Sequence, residues 1–142
     1  MTVMTEELKP AMQGYIPAVL ATCSKDGEPN ATIVSQVVWV DDEHVALSFQ
    51  FFNKTIRNVR ENPYASVLIT HPSTLECWSL DLRYDHSETE GPLFDAMDMQ
   101  LQAIASMTGM ADVFKLKASD VYFVEAVTHR GRYFEPLPEG GS

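Results

Sequence analysis

Short apolar runs broken by turn signals dominate the chain. Residues 18–24 are apolar and bounded by a turn, as a buried strand is. Lys25-Asp26-Gly27-Glu28-Pro29 follows, and Asp-Gly supplies the positive φ of a tight hairpin. A second strand is predicted over about residues 30–40, then a turn at Asp41-Asp42-Glu43. The third strand, residues 44–50, alternates Val45, Leu47 and Phe49 against His44, Ala46 and Ser48. Links this short predict an antiparallel meander of the three. Residues 65–70 read as another strand. Trp78, Leu80, Leu82 and Tyr84 alternate with Ser79, Asp81 and Arg83, the clearest half-exposed strand. Residues 86–90 are polar and predict a loop. Residues 113–117 and 121–127 predict two more strands, with Ala118-Ser119-Asp120 between them, and Arg132-Tyr133-Phe134 a last short one.

Three stretches predict helices. Residues 1–13 predict a short helix with Thr5 as N-cap and Glu6 and Glu7 in its first turn. Residues 47–63 begin as a strand, turn at Asn53 and continue as a helix. Ile56 and Val59 share one face of it, and Asn62-Pro63 ends it. Gly91-Pro92 opens the longest helix, Phe94, Met97, Leu101, Ile104 and Thr108 mark its face, and Gly109 is its C-cap. Met97, Met99, Met107 and Met110 read as core or interface filling. Six or seven strands without a βαβ rhythm predict a mainly β class: a small antiparallel barrel with peripheral helices. One domain is expected over residues 1–142, with an extension at 1–14 and a loose Pro- and Gly-rich tail at 135–142.

Charge changes this picture at one point. The chain of 142 residues carries a net charge of −10, which argues against nucleic acid or an anionic membrane as partner. With no signal-like segment and no apolar run long enough to span a bilayer, the expected compartment is the cytoplasm. Cys23 and Cys77 form no CxxC motif and read as buried free thiols. Against the acidic background Lys54, Arg57 and Arg60 stand out. Lys54 and Arg57 sit in the first turn of their helix and Glu61 in its last, the reverse of what the helix dipole favours. An anion held by the helix N–H groups, the Thr55 hydroxyl and the Lys54 ammonium would reverse that effect. A phosphate site is expected here; the alternative is a solvated basic face.

The ordered set Ala18-Val19-Leu20-Ala21-Thr22, Asp26-Gly27-Glu28-Pro29, a long strand, Ser48-Phe49-Gln50, Asn53-Lys54-Thr55 and Asn62-Pro63 resembles the FMN-binding split barrel of the pyridoxamine 5′-phosphate oxidase-like superfamily. The helix near Leu93 with strands after it looks like the branch found beside sensory modules. The resemblance implies FMN at a homodimer interface. It implies that Thr32, Ile33, Val34, Ser35 and Gln36 lie near the isoalloxazine ring and phosphate. Ser48, Phe49 and Gln50 would lie beside the flavin, and Asn53, Lys54 and Thr55 on its phosphate. Trp78 or Arg83 would come from the facing region. Trp39, Trp78, Phe51 and Phe52 are candidate interface residues.

The chain also departs from true pyridoxamine phosphate oxidases. Their second-strand motif Arg-x-Val-Leu-Leu-Lys is Thr32-Ile33-Val34-Ser35-Gln36-Val37 here, without either cation. Their Ser-Arg-Lys motif is Asn53-Lys54-Thr55, and Arg130-Gly131-Arg132-Tyr133 does not match their substrate-binding Arg and His. Vitamin B6 phosphate is therefore not the expected substrate. The resemblance implies an FMN-dependent oxidoreductase acting on a small molecule or redox partner. The alternatives are a dimeric flavin- or haem-binding sensor without turnover, or a reductase using F420. No metal-ligand spacing, Gly-x-Ser-x-Gly, Walker A or dinucleotide fingerprint is present, and no general acid or base is assigned. Asp81, Asp85, Glu88 and Glu90 read as a solvated strand edge and loop.

Overall fold

The structure is a computed structural model that describes residues 4–12, 16–49, 53–109 and 115–132. Its described residues form seven antiparallel strands: β1 (Ala18–Cys23), β2 (Pro29–Val34), β3 (Val37–Asp41), β4 (His44–Phe49), β5 (Tyr64–Thr70), β6 (Glu76–Glu88) and β7 (Ala118–Arg132). They make one sheet in the order β2-β1-β5-β6-β7-β4-β3. Helix α1 (Asn53–Glu61) follows β4, α2 (Pro92–Thr108) follows β6, and a 3-10 helix, Glu6–Met12, precedes β1.

The order forces closure. β2 and β3 are the two edges of the sheet, yet only Ser35 and Gln36 separate them in sequence. Three residue steps reach at most about 11 Å. Six strand spacings in a flat sheet would need about 29 Å. The sheet must therefore curl until its edges approach; the Ser48 N–H donates to the Gln36 carbonyl at 3.4 Å, which carries the β3–β4 ladder one residue into the link between β2 and β3. This corrects the predicted meander: the strand expected over residues 30–40 is broken at Ser35-Gln36, and its halves pair with β1 on one side and β4 on the other.

Two other expectations are corrected. β6 continues to Glu88, because His86, Ser87 and Glu88 pair with Val121, Asp120 and Ser119. Ala118-Ser119-Asp120 is not a link between two strands but the buried start of β7. Residues 113, 114, 133 and 134 lie outside the described set, and residues 115–117 are not strand. The hairpin at Gly27 (φ 87°) and the left-handed cap at Gly109 (φ 73°) are as predicted, both in a region that only glycine enters cheaply.

The barrel interior is filled by alternate strand residues, among them Leu20, Leu47, Val67, Leu80, Leu82 and Tyr122. Met4, Leu8 and Met12 of the N-terminal segment and Val59 of α1 complete this core. Trp78, a candidate interface residue, belongs to it at 4% exposure, whereas Trp39 is only partly buried. A second cluster lies outside the barrel, where Met97 and Leu101 of α2 cover Ala46, Val121 and Leu116. On α2 the fully covered positions are Met97, Leu101 and Ala105, with Ile104 half-buried, while Met99 and Met107 point to solvent.

Candidate functional site

Helix α1 is seated against β1 and β2 by a polar cluster. Asn30 Nδ2 donates to Thr55 Oγ1 at 3.2 Å and to Thr22 Oγ1 at 3.4 Å, and Asn58 Nδ2 donates to Thr22 Oγ1 at 3.1 Å. Thr22, Thr55 and Asn58 are all buried, so these bonds fix the helix start beside the first residues of β2. The first turn of α1 carries no acidic residue. Lys54 projects from it, exposed, and its Nζ meets Glu28 Oε1 at 2.8 Å. That pairing holds the Glu28 carboxyl below its ordinary value through the hydrogen bond and the charge of Lys54. An exposed pair of this kind is weak and exchangeable. Arg57 and Arg60 are also exposed.

The residues singled out in the sequence fall into two groups bridged by β2. Lys54 and Thr55 stand at the α1 end with Glu28 and Asn30, and Asn53 is the first residue of α1. Val34, Ser35 and Gln36 lie where β2 passes into β3, and Ser48 and Phe49 end β4 beside Gln36. Thr32 is half-buried between them, and Ile33 points outward at 61% exposure. Gln36 and Ser48 are each 2% exposed, and the Gln36 amide is engaged by α2 through Met97 O and Gln100 Oε1. Gln50 lies outside the described residues.

Two grooves open on the outer sheet face. One of about 370 Å³ is apolar, lined by Ile16, Pro17, Val19, Ile33, Leu68, Thr70 and Leu75. The other, about 590 Å³, includes Asp81 and Glu125 and so repels anions. Arg83 reaches Glu125 at 3.5 Å and lies over the Phe123 ring.

Pattern reading missed a buried acid. Asp120 is 5% exposed inside the barrel, where Ser87 Oγ donates to its Oδ1 at 2.6 Å and Tyr84 OH lies 2.5 Å from Ser87 Oγ. Burial pushes its carboxyl up to about 6, against the opposing effects of Ser87 and Arg60. Nearby, His86 is held between Glu88 Oε2 at 2.8 Å and Asp85 Oδ2 at 2.6 Å, and these hydrogen bonds raise its pKa. The carboxylates expected as a solvated edge thus partly serve an exposed imidazole. Among the described residues no group of three or more His, Cys, Asp or Glu could hold a metal ion, and no helix is long and apolar enough to cross a membrane. Cys77 is a buried free thiol and Cys23 a half-buried one.

Residues 4–125 match the family model described as pyridoxamine 5′-phosphate oxidase, and the chain belongs to that family. It is similar to an uncharacterized protein of Methanocaldococcus jannaschii, 31% identical over 83 residues; the match spans 57% of this chain and 52% of that protein, about half its length. In structure it is similar to an FMN-binding protein from Syntrophomonas wolfei (TM-score 0.71, 18% identity, 87% of this chain and 86% of that one). It is also similar to HutZ, the heme storage protein from Vibrio cholerae (TM-score 0.61, 17% identity, 93% and 97%). At these identities the two structures establish the fold.

Proposed function

We propose that the chain is an FMN-binding flavoprotein, an oxidoreductase for a small molecule that works as a homodimer. The observation that carries the reading is the first turn of α1: Lys54 on a helix whose first turn carries no acidic residue, beside β2, in a chain of net charge −10. This donor set fits a phosphate dianion. The incoming phosphate takes over the Lys54 ammonium from Glu28, an exchange between solvent-exposed groups. Thr55 acts by fixing the helix start through Asn30. Backbone groups of Thr32, Ile33 and Ser35 and the side chain of Phe49 are proposed to position the ring. Bound flavin supplies electron transfer; the chain's task is orientation and access.

The outer face of β1 and β2, opposite the face that seats α1, offers a surface for a dimer. Val19 and Ile33 are 42% and 61% exposed on an apolar groove that a second copy would cover, together with one flavin edge. Light scattering at micromolar concentration should give twice the mass of 15.9 kDa; a monomer would contradict the assembly. For the cofactor, Lys54→Ala removes one charge-assisted contact, and FMN affinity should fall roughly 10–100-fold. Titration of protein flavin absorbance reads this directly, and unchanged affinity would remove the phosphate assignment. Reduction of the bound flavin by a nicotinamide donor, with turnover on an acceptor, would distinguish an enzyme from a sensor.

A further inference from the structure

Three buried side-chain atoms among the described residues have no hydrogen-bond partner: Gln36 Oε1, Ser48 Oγ and Ser119 Oγ. They lie together. Ser48 and Ser119 are directly opposed in the β4–β7 ladder. Val37 opposes Leu47 one step along, and the Ser48 N–H donates to the Gln36 carbonyl, which sets Gln36 opposite Ser48. The three form one row across β3, β4 and β7. Strand side chains alternate faces with period two. Ala46 and Val121, two residues from Ser48 and Ser119, lie against α2, so the row also faces α2. Gln36 confirms this by donating to Met97 O at 3.0 Å and Gln100 Oε1 at 2.8 Å.

Bulk solvent does not reach this place: the three residues are 2%, 2% and 0% exposed. Native proteins leave few buried polar atoms unpaired once protein and ordered water are both counted as partners. Whatever satisfies them must donate to the Gln36 carboxamide oxygen and exchange hydrogen bonds with two hydroxyls. It must be small and neutral, since the three atoms are uncharged. Glu88, which opposes Ser119 from β6, is already engaged by His86. Three neutral oxygens with no carboxylate among them are too few to hold a calcium or magnesium ion.

We propose that the Gln36–Ser48–Ser119 row, on the face that α2 covers, is a binding site for an internal water. The water donates to Gln36 Oε1, shares its remaining hydrogen bonds with the two serine hydroxyls, and ties α2 to three strands. Such waters typically make about three hydrogen bonds, as this site offers.

The sign of a stability change tests it. A dry orphan hydroxyl destabilises the fold, so its removal would raise Tm; a hydrated one loses real bonds, so its removal lowers Tm. Ser48→Ala and Ser119→Ala should each lower Tm by a few degrees, and the double variant should fall by less than the sum, because both report one water. A high-resolution crystal structure should show water density within hydrogen-bond reach of all three atoms. An unchanged or raised Tm in the single variants, or an empty space there, overturns the proposal. None of these readouts depends on flavin.

Discussion

Asp120→Asn is expected to stabilise the protein at pH 7 by about 1–3 kcal/mol, and to do so only above acid pH. Asp120 faces the barrel core opposite Leu47, and burial is the main cause of its raised pKa. The unfolded chain releases this proton near 3.8, the folded chain near about 6. Between those values the folded state holds the proton more tightly. Its stability therefore falls as pH rises from 3.8 to about 6 and stays at the lower level above. The full difference corresponds to about 3 kcal/mol, an upper bound that relaxation around Arg60 reduces. Asparagine keeps an acceptor for the Ser87 hydroxyl and removes the buried charge. Thermal unfolding should show the variant ahead at pH 7 and level with the parent near pH 4. A variant less stable than its parent at pH 7 would mean that the carboxylate is held favourably.

Leu80→Ala should cost about 2–5 kcal/mol. Leu80 is fully buried on β6, opposed by Val67 on one side and Val127 on the other. The curled sheet cannot collapse onto the void without shifting β5 or β7, both of which also pair with other strands. The chemical denaturation midpoint should drop with the slope unchanged. A loss below about 1 kcal/mol would mean that the barrel repacks freely at its centre. A rigid barrel matters for the site, because β1 and the polar cluster of Thr22, Asn30, Thr55 and Asn58 align β2 with α1.

What the sequence reveals here is what local chemistry encodes. Asp26-Gly27, Asn53, Pro63, Pro92 and Gly109 each act on their own few residues, and the hairpin and both α-helices lie where these residues predict. The break at Ser35-Gln36 carries no glycine or proline; it exists because the two strand halves find different partners across a closing sheet. Ala118-Ser119-Asp120 has turn-like composition, yet pairing with β4 and β6 keeps it in a strand. The cations of α1 are visible in the sequence. The Glu28 partner of Lys54 is 26 residues away and the Ser87 partner of Asp120 is 33 away, distances that periodicity does not span.

A phosphate held at α1 can be read by comparing two flavins. FMN and riboflavin share the ring and ribityl chain and differ by that group alone, so their affinities for the unaltered protein should be compared in one titration series. FMN should bind at least about tenfold more tightly, as one charge-assisted contact implies, and the advantage should shrink in Lys54→Ala. Equal affinity for the two flavins would contradict the account.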